Sequence, residues 1–326
     1  AEQRVADSDT ENLLIQLAME TSAKTRKPID QRVIDSVAQE IQQDIDAQGV
    51  RRVYDSPSKG VLWGWEVPAY VWTKAIATGT FLMMAVWHFL IGNLDTSSEV
   101  TGLTITLVFM GLTGAFLVKD LDRPDRFLYV LLRPQWNSWL VRGAYIISGF
   151  GGLVTLKLVD NYFDFGLNLL WGPGTVFAVL GAIYTAFLFG QARSRDLWQS
   201  TGLAAVHMLV HAVMAGSVVL MVIAPETTSS MANILLWGIV ANMVIMAKDI
   251  LMSHDTPDKK KAIELMTKGY YSKYFWAGVV FGNVLPIVIL NLIFGNMTLI
   301  AGGLVLMGIF LTEFVRIRVP QMIPLS

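Results

Sequence analysis

The stretch VPAYVWTKAIATGTFLMMAVWHFLI, residues 67–91, is the first of eight apolar segments that fill the chain from residue 65 onward. A helix that spans a bilayer needs about 20 mostly apolar residues, and each segment is about that long. The segments lie at roughly 67–91, 99–118, 141–160, 168–191, 200–223, 231–252, 274–295 and 297–318. The sequence therefore predicts an all-α integral membrane protein with eight transmembrane helices.

The composition agrees with a membrane protein. Of the 326 residues, 53% are hydrophobic and only 16% are charged, whereas a soluble domain carries about 25% charged residues. The net charge of −1 gives no sign of a nucleic-acid-binding surface. The chain has no cysteine, so these residues hold no disulfide, thiolate zinc site or Cys-ligated iron–sulfur cluster.

Residues 1–64 differ from the rest of the chain because they are polar and rich in charge. Apolar side chains recur there every four residues, which is typical of an amphipathic helix. They are Ile29, Val33, Val37, Ile41 and Ile45. We expect a soluble helical arm whose apolar stripe docks on another surface, since such a short helix is marginally stable alone.

Basic residues predict the orientation of the chain in the membrane. Fifteen lie in loops and span ends on the N-terminal side, and only Lys157 lies on the opposite side. Cytoplasmic loops are enriched in lysine and arginine. We therefore expect a multi-pass protein of the inner (cytoplasmic) membrane with both termini in the cytoplasm.

The first span carries ionisable side chains on one face. Glu66, Tyr70 and Lys74 are spaced by four residues, and His88 lies at nearly the same helical azimuth. A charge deep in a bilayer costs about 2.5–3.5 kcal/mol on insertion scales, so such a residue usually faces the bundle interior and a partner. Lys74 is predicted to meet a carboxylate or to line a wet pocket. The alternative is a structural ion pair with interfacial anchors around it.

The segment KDLDRPDRFLYVLLRP, residues 119–134, is the densest polar part of the membrane region. Its charges alternate in sign along Asp120, Asp122, Arg123, Asp125, Arg126 and Arg133, and prolines interrupt the backbone. The apolar run 127–132 predicts that the loop folds back on the membrane surface, close to the cytoplasmic end of the first span. A merely solvated loop is the alternative.

His207 and His211 lie one turn apart in the fifth segment. That spacing allows two imidazoles to bind one metal ion, but no Glu or Asp lies within the same turn. Pairing with His88 as haem ligands fails, because His88 lies roughly 15 Å farther from the cytoplasmic face than His211. We therefore predict no metal site and no haem, and interpret the two histidines as core residues or as a proton relay. The relay would include Asn242, Lys248 and Asp249.

Three further polar residues lie within the last two spans: Glu313, Asn283 and Asn291. We interpret them as isolated packing or hydrogen-bonding residues, and a proton path is the alternative.

Several motifs together resemble the NrfD family. They are W-x-x-x-x-Y-x-W-x-K-x-x-x-x-G over Trp65–Gly79, DLDRPDRF over 120–127, RPQWNSWLVRGA over 133–144 and the terminal VPQMIPLS. Members of this family are quinone-reactive membrane subunits of polysulfide-reductase-like enzymes and of alternative complex III. The resemblance covers roughly residues 63–326 and leaves the arm uncovered, and DLDRPDRF is its most specific element.

The resemblance implies an architecture and a function. It implies two four-helix bundles, at 65–195 with the quinone site and at 196–326, following the arm at 1–64. It implies a subunit that is not catalytic alone and that exchanges electrons between a ferredoxin-like iron–sulfur subunit and menaquinone or ubiquinone. A further catalytic subunit lies beyond that partner, and this chain binds no haem or iron–sulfur cluster. Many relatives place the iron–sulfur partner outside the cytoplasm, whereas the basic residues here predict that it lies inside, and both placements stay open.

The resemblance also implies site residues. Lys74 would stabilise a quinone oxygen, and Glu66 and Asp120 would deliver protons. Quinone-binding positions are Tyr70, Lys74, Arg123, Arg126, Ser138 and Arg142. Lys74 departs from the family pattern, because relatives often carry a small or amide residue there.

Two other classes of protein remain open at this point. In a secondary transporter or proton-translocating channel, Lys74, His207 and Glu313 would line a path for ions or a small solute. Paired broken helices are typical of transporters, but Pro173 and Pro286 do not occupy corresponding places in the two halves. The other class is a structural membrane anchor without a site.

Overall fold

The computed structural model describes residues 63–121, 124, 127–191, 196–252, 256–292 and 297–323. The arm predicted at 1–64 therefore lies almost wholly outside the described residues. Within the described ranges the chain is helical and contains no strand. The helices are α1 (Glu66–Leu90), α2 (Thr96–Asp120), α3 (Phe127–Leu132), α4 (Trp139–Phe163), α5 (Trp171–Gly190), α6 (Thr201–Ile223), α7 (Thr228–Met252), α8 (Pro257–Thr267), α9 (Ser272–Val279), α10 (Leu285–Leu292) and α11 (Thr298–Arg318).

The eight predicted membrane spans are confirmed, because eight helical segments in the described chain are long and apolar enough to cross a bilayer. They correspond to α1, α2, α4, α5, α6, α7, the segment from α9 to α10, and α11. The second span begins at Thr96, a little before its predicted start. Asp95 caps it, accepting a hydrogen bond of 3.0 Å from the Ser98 backbone N–H.

The seventh span contains a π-helical segment, Val280–Val284, between α9 and α10. Pro286 explains why the helix widens there. Its ring would clash with the Gly282 carbonyl in a regular α-helix, since proline lacks an N–H and crowds the carbonyl four residues earlier. The widened turn contains Asn283, whose side chain is buried.

Helix contacts arrange the spans as two rings of four. In one ring, α1 contacts α2, α2 contacts α4, α4 contacts α5, and α5 returns to α1. In the other ring, α6 contacts α7, α7 contacts the seventh span, the seventh span contacts α11, and α11 returns to α6. Helices α1 and α6 join the rings, packing against each other as extensively as α1 packs against α2. The domain boundary between residues 195 and 196 stays a prediction.

Glycines set the distance between α1 and α6. A Cβ atom added at Gly79 would overlap the carbonyl oxygen of Ala212, and one added at Gly216 would overlap the carbonyl oxygen of Gly79. Small residues let transmembrane helix backbones approach closely and gain van der Waals contact. As a result α1 is interior, with 89% of its most apolar stretch buried within the protein.

The basic residue predicted on the far side of the membrane, Lys157, is enclosed by acids. Its Nζ lies 3.3 Å from Glu99 Oε1 and 3.0 Å from Asp160 Oδ2, and it is 3% exposed. The pair with Glu99 ties α4 to α2 at that end, while the pair with Asp160 lies within α4. Because Lys157 is neutralised in this way, it adds little positive charge to that surface.

The opposite end brings the start of α1 and the C-terminal turn together. The Trp63 backbone N–H donates to Gln321 Oε1 at 2.9 Å, and Gln321 Nε2 donates to the Trp63 carbonyl at 3.1 Å. The Trp63 ring also packs on Phe189 and Trp198. The beginning of the first span and the end of the last therefore lie on the same face, while the membrane side of that face stays a prediction.

Adding one methyl group at the α1–α6 contact is expected to destabilise the fold. Gly216→Ala places a Cβ against backbone atoms, which cannot rotate away, so the free energy of unfolding should fall by about 1–3 kcal/mol. Denaturant unfolding of the purified protein in detergent measures this change. Gly151→Ala is the matched control, because a Cβ there meets no atom within 4 Å. Equal stabilities of the two variants would contradict the proposed role of the contact.

Candidate functional site

Lys74 lies in the interior of the first ring, between α1 and α5. Its side chain is 1% exposed. Its Nζ donates hydrogen bonds to the Ala182 carbonyl at 2.9 Å and to the Thr185 hydroxyl. The same atom lies 4.6 Å from the centre of the Tyr184 ring, within the range of a cation–π interaction. The predicted burial of Lys74 is confirmed, and protein groups fill the space around its ammonium.

Gly143 on α4 leaves space for the Tyr184 ring beside Lys74. A Cβ at Gly143 would overlap the Tyr184 ring, so the glycine lets the ring lie between α4 and α5. Tyr184 is 1% exposed. Neither Tyr184 nor Thr185 was among the residues predicted for the site, since both look like ordinary core positions in an apolar segment.

Tyr70 lies one turn before Lys74 on α1 and is 2% exposed. The groups close enough to act electrostatically on its hydroxyl are Tyr184, Asp120 and Glu313, together with the Thr185 side chain. Tyr70 is therefore brought next to the Lys74 site, as the spacing in the sequence predicted. Asp120, half-buried at the end of α2, also acts electrostatically on Tyr70.

Glu66 lies at the membrane-surface end of the same face. It is 8% exposed, and its carboxylate lies 3.6 Å from Lys119 Nζ. Lys119 also lies 4.4 Å from the centre of the Trp65 ring. Glu66 is about 12 Å along the helix from Lys74, at a rise of about 1.5 Å per residue. Glu66 and Lys74 are therefore two ends of one polar stripe, with Tyr70 between them.

The remaining predicted site residues lie in the loop between α2 and α4 or in the first turn of α4. Arg123 and Arg126 lie outside the described residues. Arg142 donates from Nε to the Trp136 carbonyl at 2.6 Å and stacks on the Trp139 ring at 4.8 Å. Ser138 precedes the first turn of α4. The described contacts of Arg142 thus order the loop.

The apolar run of this loop forms the short helix α3. None of its residues is buried, and Leu128 and Leu132 are largely exposed. The Tyr145 hydroxyl on α4 donates to the Leu131 carbonyl at 2.7 Å and holds the helix in place. Exposed leucines at a span end agree with the prediction that this loop rests on the membrane surface.

A second polar cluster lies in the other ring, and it corrects the interpretation of Glu313 and Asn283 as isolated. His211 Nδ1 lies 3.2 Å from Glu313 Oε1. Asn242 Oδ1 lies 2.6 Å from His207 Nε2 and 3.0 Å from His211 Nε2. Asn242 Nδ2 donates to Asn283 Oδ1 at 2.7 Å. Packing of α6, α7, α11 and the π segment therefore joins five side chains that are far apart in the sequence.

This cluster extends toward both the Lys74 site and the membrane surface. Glu313 is the charged group that acts on Lys74 across the junction of the rings. On the other side, a small cavity is bordered by His207, Glu313 and Arg316. Arg316 Nη2 binds Asp249 Oδ2 at 2.8 Å, so Asp249 of the predicted relay pairs with an arginine. Lys248 is exposed.

His88 belongs to neither cluster. Its Nδ1 lies 2.7 Å from Asn93 Oδ1, and its ring stacks on Trp171 at the far end of α1. The shared azimuth of His88 and Lys74 thus does not bring them together. Four turns of helix separate their contacts.

Comparison with known proteins assigns the chain to a family. The profile of the polysulphide reductase NrfD family matches residues 55–324, which include all eight spans and both polar clusters. No curated protein matches the chain. Members of this family are membrane subunits of oxidoreductase complexes, where they work with other oxidoreductase subunits, and they are in general quinone-reactive. The profile match over most of the chain, with which the eight-span helical fold agrees, shows that this chain belongs to the polysulphide reductase NrfD family.

Proposed function

We propose that the chain exchanges electrons between membrane quinone and a partner iron–sulfur subunit, at a site centred on Lys74. The main support for this proposal is the buried ammonium group of Lys74. Its hydrogen-bond acceptors, Ala182 and Thr185, are neutral, and the carboxylate that acts on it, Glu313, belongs to the other ring. Holding a charge in the membrane interior costs about 2.5–3.5 kcal/mol on insertion scales, and such residues usually serve a function.

Lys74 and Tyr70 supply hydrogen-bond donors to a quinone oxygen. Negative charge develops on that oxygen as electrons arrive, and a preorganised buried donor stabilises it. The Tyr184 ring now covers the ammonium. We propose that the quinone ring takes the place of Tyr184 over Lys74, so the Tyr184 side chain moves when the substrate binds.

Conversion of a quinone to its quinol consumes two electrons and two protons. The electrons come from the partner, since this chain has no cysteine to hold a cluster. Glu66 and Asp120 flank Tyr70 toward the membrane surface, and we assign proton delivery to them. We assign Arg123, Arg126, Ser138 and Arg142 to quinone binding at the entrance. The reverse direction, quinol oxidation, uses the same groups.

Because this chain holds no iron–sulfur cluster, the proposed electron transfer requires partner subunits. A ferredoxin-like iron–sulfur subunit docks on the face that holds the α2–α4 loop, and the arm before residue 65 helps to bind it. A further catalytic subunit carries the terminal chemistry. Charge counting puts that face and both termini in the cytoplasm.

Proton translocation is a second candidate function, and the cluster around Glu313 favours it. Glu313, His211, Asn242 and His207 form a continuous polar chain between the Lys74 site and the cavity beside Arg316. Chains of acidic and imidazole groups inside membranes are typical of proton relays.

Lys74→Met is expected to abolish most quinone-dependent electron transfer in an assembled complex. Methionine keeps the length of the side chain and removes the donor, so the turnover number should fall by about 10²–10³-fold. Steady-state kinetics with a soluble quinol, on complex of verified subunit content, measure this loss.

Lys157→Met is the matched control, because it removes another buried lysine at the opposite end of the ring. It should lower stability through its unpaired acids, Glu99 and Asp160, and leave the turnover number of assembled complex unchanged. Normal kinetics in Lys74→Met would instead support a structural anchor.

His211→Gln separates the two functions. If the Glu313 cluster carries protons, this variant loses proton uptake into liposomes during quinol turnover and keeps its electron-transfer rate in detergent. A pH-sensitive dye reports the uptake, and His88→Gln is the control. Uptake equal to that of the unmodified chain would exclude the cluster as the proton path.

A further inference from the structure

His207, His211 and Glu313 combine three metal-ligand groups in one buried place. One ligand atom from each lies within 4.8 Å of the other two, and the three residues are 1–3% exposed. The sequence provided two histidines one turn apart without a carboxylate in that turn. Packing of α11 against α6 supplies the missing carboxylate from Glu313.

Hydrogen bonding determines which imidazole atoms are available. Asn242 donates through Nδ2 to Asn283, so its Oδ1 is the atom that faces both histidines. With Asn242 Oδ1 as the acceptor, each Nε2 carries a proton, and a neutral ring then has its lone pair on Nδ1. In that form the His211 Nδ1 lone pair faces Glu313.

The contact between His211 and Glu313 suits a cation. His211 Nδ1 is buried and makes no contact with hydrogen-bond geometry, although Glu313 Oε1 lies 3.2 Å away. Two ligands at about 2.0–2.1 Å from a tetrahedral ion are about 3.3 Å apart. This pair thus already has the separation of two metal ligands, and a ligand atom of His207 lies within 4.8 Å of both.

The small cavity provides access and a place for a fourth ligand. It is bordered by His207, Glu313 and Arg316, and it has room for a water molecule or an ion. Arg316 is paired with Asp249 at 2.8 Å, which offsets its charge next to an incoming cation.

We propose that His207, His211 and Glu313 bind a divalent transition-metal ion such as Zn²⁺, with water as the fourth ligand. Two imidazoles and one carboxylate suit zinc and cobalt, whereas Mg²⁺ and Ca²⁺ prefer ligand sets made of oxygen. Asn242 holds both rings from behind, as outer hydrogen-bond partners of metal-bound histidines do. This site rests on the geometry of α6, α7 and α11, and its test requires no quinone.

Cobalt is a direct probe of the site. Tag-free protein is stripped with a chelator and titrated with Co²⁺, whose visible absorption bands report tetrahedral coordination. One ion per chain is expected, displaced by Zn²⁺. His211→Ala and Glu313→Gln should each abolish the bands, and Asn242→Ala should weaken binding by about 10–100-fold.

His88→Ala is the matched control, since His88 is bonded to Asn93 and lies at the far end of α1. It should bind Co²⁺ as the unmodified chain does. Zn²⁺ should also raise the Tm of the unmodified chain and leave that of Glu313→Gln unchanged, because an ion that binds only the folded state stabilises it. The proposal is overturned if Co²⁺ shows no saturable binding, or if its bands survive in His211→Ala or vanish in His88→Ala.

Discussion

The close contact of α1 with α6 is the constraint on which the rest of the structure depends. Gly79 and Gly216 let two backbones touch where any larger side chain would force them apart. That contact joins the two rings of helices and, together with the contacts of α1 with α2 and α5, buries α1. It also places a lysine of one ring within electrostatic reach of a glutamate of the other, so a packing requirement determines where the charges lie.

Two polar clusters result, and they differ in chemistry. Around Lys74 the ammonium meets neutral oxygens and an aromatic ring, an environment able to stabilise negative charge on a bound substrate. Around His211 imidazoles, a carboxylate and carboxamides meet one another, an environment that accepts a proton or a metal ion. Glu313 belongs to the second cluster and also acts on Lys74 in the first, so the charge of Glu313 links the two clusters.

The remaining ion pairs and hydrogen bonds hold the ends of the spans. Lys157 with its acids fixes one end of the first ring, and Gln321 with Trp63 joins the first and last spans at the other. The π segment of the seventh span, which Pro286 requires, presents Asn283 to Asn242. A local irregularity of the backbone thus completes the buried hydrogen-bond network.

The sequence by itself determined the class of protein, the eight spans and the burial of Lys74 and Tyr70, because hydrophobic length and helical periodicity are local properties. It did not reveal Tyr184 or Thr185 as neighbours of Lys74, or Glu313 and Asn283 as partners of His211 and Asn242. An intramembrane glutamate signals that a partner exists but does not identify it. The tertiary structure decided these pairings, because each depends on how closely and at which rotation two helices pack, and that is set by the fit of their surfaces rather than by either sequence segment alone.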